Sequence, residues 1–505
     1  MPDNQRDAPI DLPGEEFRKL GHALVDRIAE FYDSLPERPV TRAPTPQEVR
    51  ALLGETDLPE DGTDPARLLD RVAPLLFRQS LHNGHPRFLG YITSSAAPLG
   101  ALGDLLAAAV NSNVGAWDLS PVASEIERQT IRWIADFIGY PTDCGGIMVS
   151  GGNMANLIGF YAARKAKTSW EIRETGLYAQ NKPLAVYASD ATHTWIQKAA
   201  DLSGLGTDNI RWIASDNRQR MKIGELEKQI AADRKDGRLP FLAVGTAGTV
   251  STGTVDPLAG IAAICKSHDL WFHVDGAYGA PAAALADASE DLRGLALADS
   301  IALDPHKWLY APLEAGCTLV RNPKHLSDAF SFHPEYYRFD DDDGDPRMNF
   351  YEYGVQNSRG FRALKVWLNL AAIGRKGYVG MLSEDISLAQ RLYDAAAEHP
   401  ELEAFTRELS ITTFRYRPAD LASPSEPVES YLNELNEKLL SRIQGGGEAY
   451  VSNAVLEGRM LLRSCVVNFR TSEDDIDALP EIVTRLGRSL DKELRPQALR
   501  NPARN

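Results

Sequence analysis

The string ALDPHKWLY, residues 302–310, closes a short apolar run and places Lys307 at or just past the C-terminal end of a strand. Ligands of open α/β sheets bind at that edge. His306 and Trp308 flank the lysine and shield it from water, and a shielded amine is one that can form an imine. A lysine in a surface loop is the ordinary alternative. A second string, LWFHVDGAYGA (270–280), ends a strongly apolar strand on Asp275. A carboxylate there is either the N-cap of the next helix or a ligand group. An ionised aspartate is what a pyridine-ring cofactor needs, because it keeps the ring nitrogen protonated and the ring an electron sink. The small residues Gly276, Ala277 and Gly279 leave room for a flat ring. The spacing of Asp275 and Lys307 fits one strand–helix–strand crossover, so both can face one site from neighbouring strands.

Two further strings complete the set. In MVSGGNMANLIGFYAARK (148–165) a strand ends at Val149, and Ser150-Gly151-Gly152-Asn153 precedes a helix. Glycines let the backbone approach an anion, and the free N–H groups of the helix start point at it. The string has neither a Walker lysine nor GxGxxG spacing, so nucleotide folds gain little support. In VYASDATHTWIQKAA (186–200) His193 precedes a helix and can lie over a planar ring; a histidine satisfying local backbone groups is the plainer account.

The elements that must hold these residues follow from periodicity. Between about residues 98 and 378 short apolar runs recur: GIMVS, LAVYAS, FLAVGTAG, LWFHVDG and DSIALD. Helical-period segments separate most of them, which predicts parallel strands covered by helices on both faces. The pattern changes near Gly377, and the remaining chain mixes helices with the strands ITTFRYRP and MLLRSCVVNFR, predicting a small α+β domain. Ahead of the sheet, EEFRKLGHALVDRIAEFYDSL and the stretch from Pro65 to Leu81 are amphipathic helices joined by an extended connector with a short helix. Such a pair has little core of its own, and a second subunit is a natural surface for it. The division expected is 1–97, 98–378 and 379–505.

The composition narrows the function classes. The chain has 505 residues, 43% hydrophobic and 25% charged, ordinary globular usage with room for more than one substructure. A formal net charge of −16 argues against nucleic acid or an anionic membrane as partner. No apolar run is long enough to span a bilayer, and the acid-bearing N-terminal stretch does not read as a signal peptide. Cys144, Cys265, Cys317 and Cys465 are too few and too scattered for a disulfide framework or a CxxC metal site, which fits a reducing cytoplasm. The acidic run Asp340–Asp343 reads as a solvated loop, with no further residues spaced to complete a metal site.

Cradle, ring histidine, ring-nitrogen acid and strand-end lysine occur in that chain order. With HPRFLGY (85–91), WDLSPVASEIE (117–127), HVDGAY, DPHKW and RSCVVNFR (463–470), they resemble the group II PLP-dependent decarboxylases, close to the aromatic-L-amino-acid decarboxylases, over nearly the whole chain. The resemblance implies an α/β fold of PLP fold type I: an aspartate-aminotransferase-like large domain with a parallel-rich sheet, a small α+β C-terminal domain and a helical N-terminal arm. It implies pyridoxal 5′-phosphate bound through Lys307, with Asp275 at the ring nitrogen and His193 stacked on the ring. Gly152, Asn153 and His306 are then at the phosphate, Ala277 beneath the ring, and Thr249, or its neighbour Val250, beside Asp275. It further implies an intertwined homodimer with sites at the subunit interface, and an L-amino-acid substrate, by preference aromatic, converted to the amine and CO2.

Substrate contacts are implied for Tyr91, Ile92, Ser94, Asn113 and Phe350. The family's Phe-Pro-Thr segment is here Ile92-Thr93-Ser94, and large apolar residues are replaced by Asn113 and Gly115, giving a more polar or roomier pocket. Aligning SRGFRALKVW (358–367) puts Phe350 where related enzymes carry a proton-donating loop tyrosine, with Tyr351 beside it as the alternative donor. Phenylalanine there goes with oxidative deamination to an aldehyde. An acidic or diamino acid substrate, a transaminase, and a catalytically silent PLP-binding protein are the other readings.

Overall fold

The computed structural model describes residues 8–54, 57–180, 182–332, 347–421 and 423–500. The acidic run 340–343, expected as a solvated loop, therefore lies outside the described residues.

Seven strands form the larger sheet: β2 (Gly145–Val149), β3 (Leu184–Ser189), β4 (Ile210–Ile213), β5 (Leu239–Thr246), β6 (Trp271–Asp275), β7 (Ser300–Leu303) and β8 (Gly316–Val320), in the order β2-β8-β7-β6-β5-β3-β4. Every residue of β2, β3, β6, β7 and β8 is buried, which is why these runs are continuously apolar rather than alternating. From β7 to β4 neighbours pair in parallel. The sheet is parallel-rich as expected; its exception is β8, which runs antiparallel to both β7 and β2. The segment between β7 and β8 carries Lys307 but no helix, so the chain turns back instead of crossing over.

The smaller sheet, in the order β1-β11-β12-β10-β9, contains β1 (Phe88–Leu89), β9 (Leu402–Glu408), β10 (Ile411–Tyr416), β11 (Tyr450–Leu456) and β12 (Arg459–Cys465). Its last strand stops at Cys465, short of the expected Arg470. Strand β1 comes from the N-terminal region and pairs in parallel with β11, so that region is also tied into the C-terminal sheet. Helices Gly14–Asp33 and Pro65–Gln79 form where the amphipathic pattern predicts, and Phe31 stacks on Phe77 with ring centroids 4.7 Å apart. The short connector helix, Pro46–Leu53, starts with a complete Thr45/Glu48 capping box.

The helical stretch Ala363–Glu398, two helices meeting at a kink where Gly374 has φ +67°, packs against both sheets' cores, and the change of pattern near Gly377 falls just beyond that kink. Among the described residues no helix is long and apolar enough to cross a membrane, and all four cysteines are free.

Candidate active site

Strands β5, β6 and β7 end side by side, and their C-terminal ends open into a cavity of about 470 Å³. Thr246 closes β5, Asp275 closes β6, and the segment after β7 brings Asp304, His306 and Lys307. Across from them the turn after β2 supplies Ser150, Gly151, Gly152 and Asn153, the last two opening the helix Gly152–Lys167. His193 reaches the same cavity from the turn before the helix Trp195–Leu202. The four signals spread over about 160 positions of sequence thus converge on one space.

Lys307 Nζ lies 3.0 Å from Asp304 Oδ2, and His306 Nε2 is 3.8 Å from the same oxygen. The other oxygen of Asp304 is buried without a hydrogen-bond partner, as is the hydroxyl of Thr246. Asp275 Oδ1 accepts from the Ala277 N–H at 3.2 Å. Burial holds His193 below the ordinary histidine value; Asp275 pulls the other way, and Lys307 adds to the lowering. The Trp195 N–H donates to His193 Nδ1 at 3.3 Å, so the neutral ring carries its proton on Nε2. Burial likewise lowers His306, whose Nδ1 accepts from the Ala315 N–H.

A cradle for an anion and a flat ring is present in the backbone. A Cβ on Gly152 would sit 2.6 Å from Asp304 Oδ2, so only glycine lets the helix start approach this wall. Gly248, at φ +93°, lies where a Cβ would meet Tyr278 at 2.7 Å. Orphaned polar atoms, helix-start N–H groups, an aspartate at a strand end and a lysine beside it fit a phosphorylated pyridine aldehyde.

Other expected residues fall elsewhere. Thr249 does not line the cavity: its hydroxyl is 2.9 Å from Thr252 Oγ1 and accepts from the Thr254 N–H, so its own turn consumes it. Thr246 and Val250 are the wall residues instead. Ile92 lines the cavity, whereas Ser94 donates to the His306 carbonyl at 2.8 Å and braces the lysine segment. Tyr91 is half exposed, with its hydroxyl 3.2 Å from that of Tyr450. Asn113 Oδ1 accepts from the N–H groups of Gly115 and Arg359 and holds a turn.

Phe350 and Tyr351 are also outside the lining. Phe350 is fully buried in a short helical turn beneath the Arg359 guanidinium, 5.0 Å from its ring centre, and Tyr351 is buried beside it. In the single chain neither side chain reaches this cavity.

Several site residues carried no sequence signal of their own. Asp304 stood within the DPHKW string, but a turn aspartate and a cavity carboxylate look alike in sequence. Tyr278 stacks on Trp308 at 4.9 Å and bonds Ser410 across to the smaller sheet. Arg463, on β12, is buried with Nε unpartnered and donates to the Val250 carbonyl on the cavity wall. Strand β2 is braced by Arg359, which bonds Glu127, the Met148 carbonyl and the Val114 carbonyl, all buried.

The pyridoxal-dependent decarboxylase conserved domain matches residues 46–417. The chain is 36% identical over 468 residues to an aromatic-L-amino-acid decarboxylase of Bacillus atrophaeus, covering 92% of this chain and 94% of that one. It is 30% identical to a phenylacetaldehyde synthase of a Rosa hybrid cultivar, over 92% of both chains. The solved structure of Oryza sativa TDC with PLP and tryptamine superposes with a TM-score of 0.88 at 27% identity, over 96% of this chain and all of that one.

Proposed function

Because the chain belongs to the pyridoxal-dependent decarboxylase family, with pyridoxal 5′-phosphate as cofactor and fold type I architecture, we propose that it converts an aromatic L-amino acid to its amine and CO2. The observation that carries this reading is the meeting of Lys307, Asp275, His193 and the Gly152 cradle in one cavity. When bound, the cofactor supplies an electron sink conjugated to the substrate α carbon.

The chain's own residues do the rest. Lys307 would hold the cofactor through Nζ, and Asp275 would hold a proton on its ring nitrogen by charge. The N–H groups at Gly152 and Asn153 would bind the phosphate, with His306 also on the cavity wall, and Ala277 would leave space for the ring. His193 would lie against the ring, and its Nε2–H would be a proton available on the cavity wall. Delivery by Tyr351 within the same chain would require the turn Phe350–Glu352 to leave the core. Ile92, Val250 and Leu313 provide apolar wall for an aromatic side chain, while Glu314 is engaged by Arg362 at 2.9 Å.

A homodimer and the division 1–97, 98–378 and 379–505 belong to this reading. Its support is the helix Pro98–Val110, on which Leu102, Leu105, Leu106 and Val110 are each more than half exposed in the single chain. Four free cysteines support a reducing cytoplasm.

A second reading, oxidative deamination consuming oxygen and water to give aldehyde, CO2, ammonia and peroxide, is favoured by the similarity to the phenylacetaldehyde synthase. Amine, aldehyde, CO2 and peroxide measured in air across the common amino acids decide between them. Amine equal to CO2 from an aromatic substrate is the expected result. Aldehyde and peroxide equal to CO2 would establish the second reading, and turnover confined to acidic or diamino acids would overturn the substrate class.

A further inference from the structure

Beneath the cavity floor a chain of buried hydrogen bonds starts two residues before Asp275. His273, fully buried on β6, has Nδ1 2.7 Å from Ser300 Oγ and Nε2 2.7 Å from Asn156 Oδ1. The Trp271 indole N–H donates to the same Ser300 oxygen at 2.8 Å, and Asn156 Nδ2 donates to the Gly152 carbonyl at 2.8 Å. The Trp195 ring packs edge-on against His273, centroids 5.6 Å apart. A Cβ on Gly159 would lie 2.7 Å from His273 Cε1, so the cradle helix presses on the ring with nothing between.

The polarity of this chain is determined throughout. A carbonyl oxygen only accepts, so Asn156 must turn its amide nitrogen to Gly152 and its oxygen to His273. His273 Nε2 therefore carries a hydrogen. Burial pushes the imidazole down to about 4, so it is neutral and Nδ1 accepts. Ser300 must then donate to Nδ1 and accept from Trp271. Each of the four contacts then joins one donor to one acceptor, and inverting any one would set donor against donor or acceptor against acceptor.

Three elements of the cavity meet on this one ring: the strand ending at Asp275, the helix starting at Gly152, and the helix that follows His193. We propose that His273 is a positioning residue, which with Asn156 locks the first turn of the cradle helix to β6 and so fixes the separation between the phosphate cradle and Asp275. It touches no reacting atom. A cofactor gripped at both its phosphate and its ring nitrogen needs those two grips at one distance, and helix and strand have no covalent connection nearby to set it.

The test uses the full-length protein with three readouts: cofactor dissociation constant, the 31P resonance of the bound cofactor, and imidazole 15N shifts in histidine-labelled parent protein. The parent should show His273 as the neutral Nε2–H tautomer; an Nδ1–H tautomer would overturn the proposal. His273→Phe keeps a ring but breaks both bonds, and should weaken cofactor binding about tenfold or more, the equivalent of one buried hydrogen bond left unmade, and move the 31P resonance. His273→Gln can donate to Asn156 and accept from Ser300, and should restore affinity to within about threefold of the parent. A folded His273→Phe with parent-like affinity and an unmoved 31P resonance would refute a positioning role. Should that variant not fold, Asn156→Ala, which also removes a side chain from the cavity wall, carries the same refuting outcome. The proposal rests on Gly152 as cradle, which fails separately if Gly152→Ala binds the cofactor as tightly as the parent.

Discussion

Asp385 lies on the helical stretch Ala363–Glu398 and is 3% exposed, yet it faces the lysine segment: its Oδ2 accepts from Trp308 Nε1 at 2.7 Å and from Tyr310 Oη at 2.6 Å. Burial pushes its carboxyl up to about 7, with the two hydrogen bonds only partly opposing. A carboxyl raised on folding contributes stability that is full below the unfolded value near 4 and is lost as pH rises through the folded value. Each pH unit is worth about 1.4 kcal/mol, so a rise of roughly three units amounts to about 4 kcal/mol as an upper figure. Asp385→Asn keeps an oxygen for Trp308 and Tyr310 and cannot ionise. The variant should therefore melt with the parent at pH 4, and above it by a margin that grows from pH 5 to about 7 and then levels. The assay is apparent melting temperature against pH for both proteins at one scan rate. A margin independent of pH, or a parent that gains on the variant as pH rises, would refute the buried-carboxylate reasoning.

Borohydride reduction should fix the cofactor on the peptide containing Lys307, and Lys307→Ala should abolish turnover with the fold intact; label recovered on Lys198 or Lys324 would overturn the assignment. Asp275→Asn should retain cofactor but lose about 4 kcal/mol or more of transition-state stabilisation, read as kcat, whereas a loss within about tenfold would make Asp275 structural. Arg359→Met leaves Glu127 buried and uncompensated, and denaturation should show a loss of about 3–5 kcal/mol; an unchanged melting point would mean the pair is not what braces β2. Phe350→Tyr puts a hydroxyl into a fully buried site, so it should lower stability and leave the product unchanged. Peroxide released by the parent and abolished in that variant would restore Phe350 to the reaction.

The chemistry was legible because its carriers sit where local sequence meets a sheet edge. A strand followed by Gly151-Gly152, or ended by Asp275, announces both its element and its functional end within about ten residues. What the linear pattern could not carry is direction. Thr246 and Thr249 are equivalent as sequence, and only the turn that bonds Thr249 to Thr252 and Thr254 turns its hydroxyl from the cavity. Phe350 reads as a loop residue until the Arg359 guanidinium and the core beneath it claim it.

Apolar periodicity alone determined the parallel-rich sheet, its covering helices, the amphipathic N-terminal helices and the strand-end positions of Lys307 and Asp275. Tertiary packing decided the rest: the reversal of β8, the β1 strand lent to the C-terminal sheet, and the buried pairings of Asp304 with Lys307, Glu127 with Arg359, Trp308 with Asp385, and His273 with Asn156. Most of these partners are tens to hundreds of positions apart, and a buried polar group gains its meaning from whichever donor or acceptor the fold brings within about 3 Å.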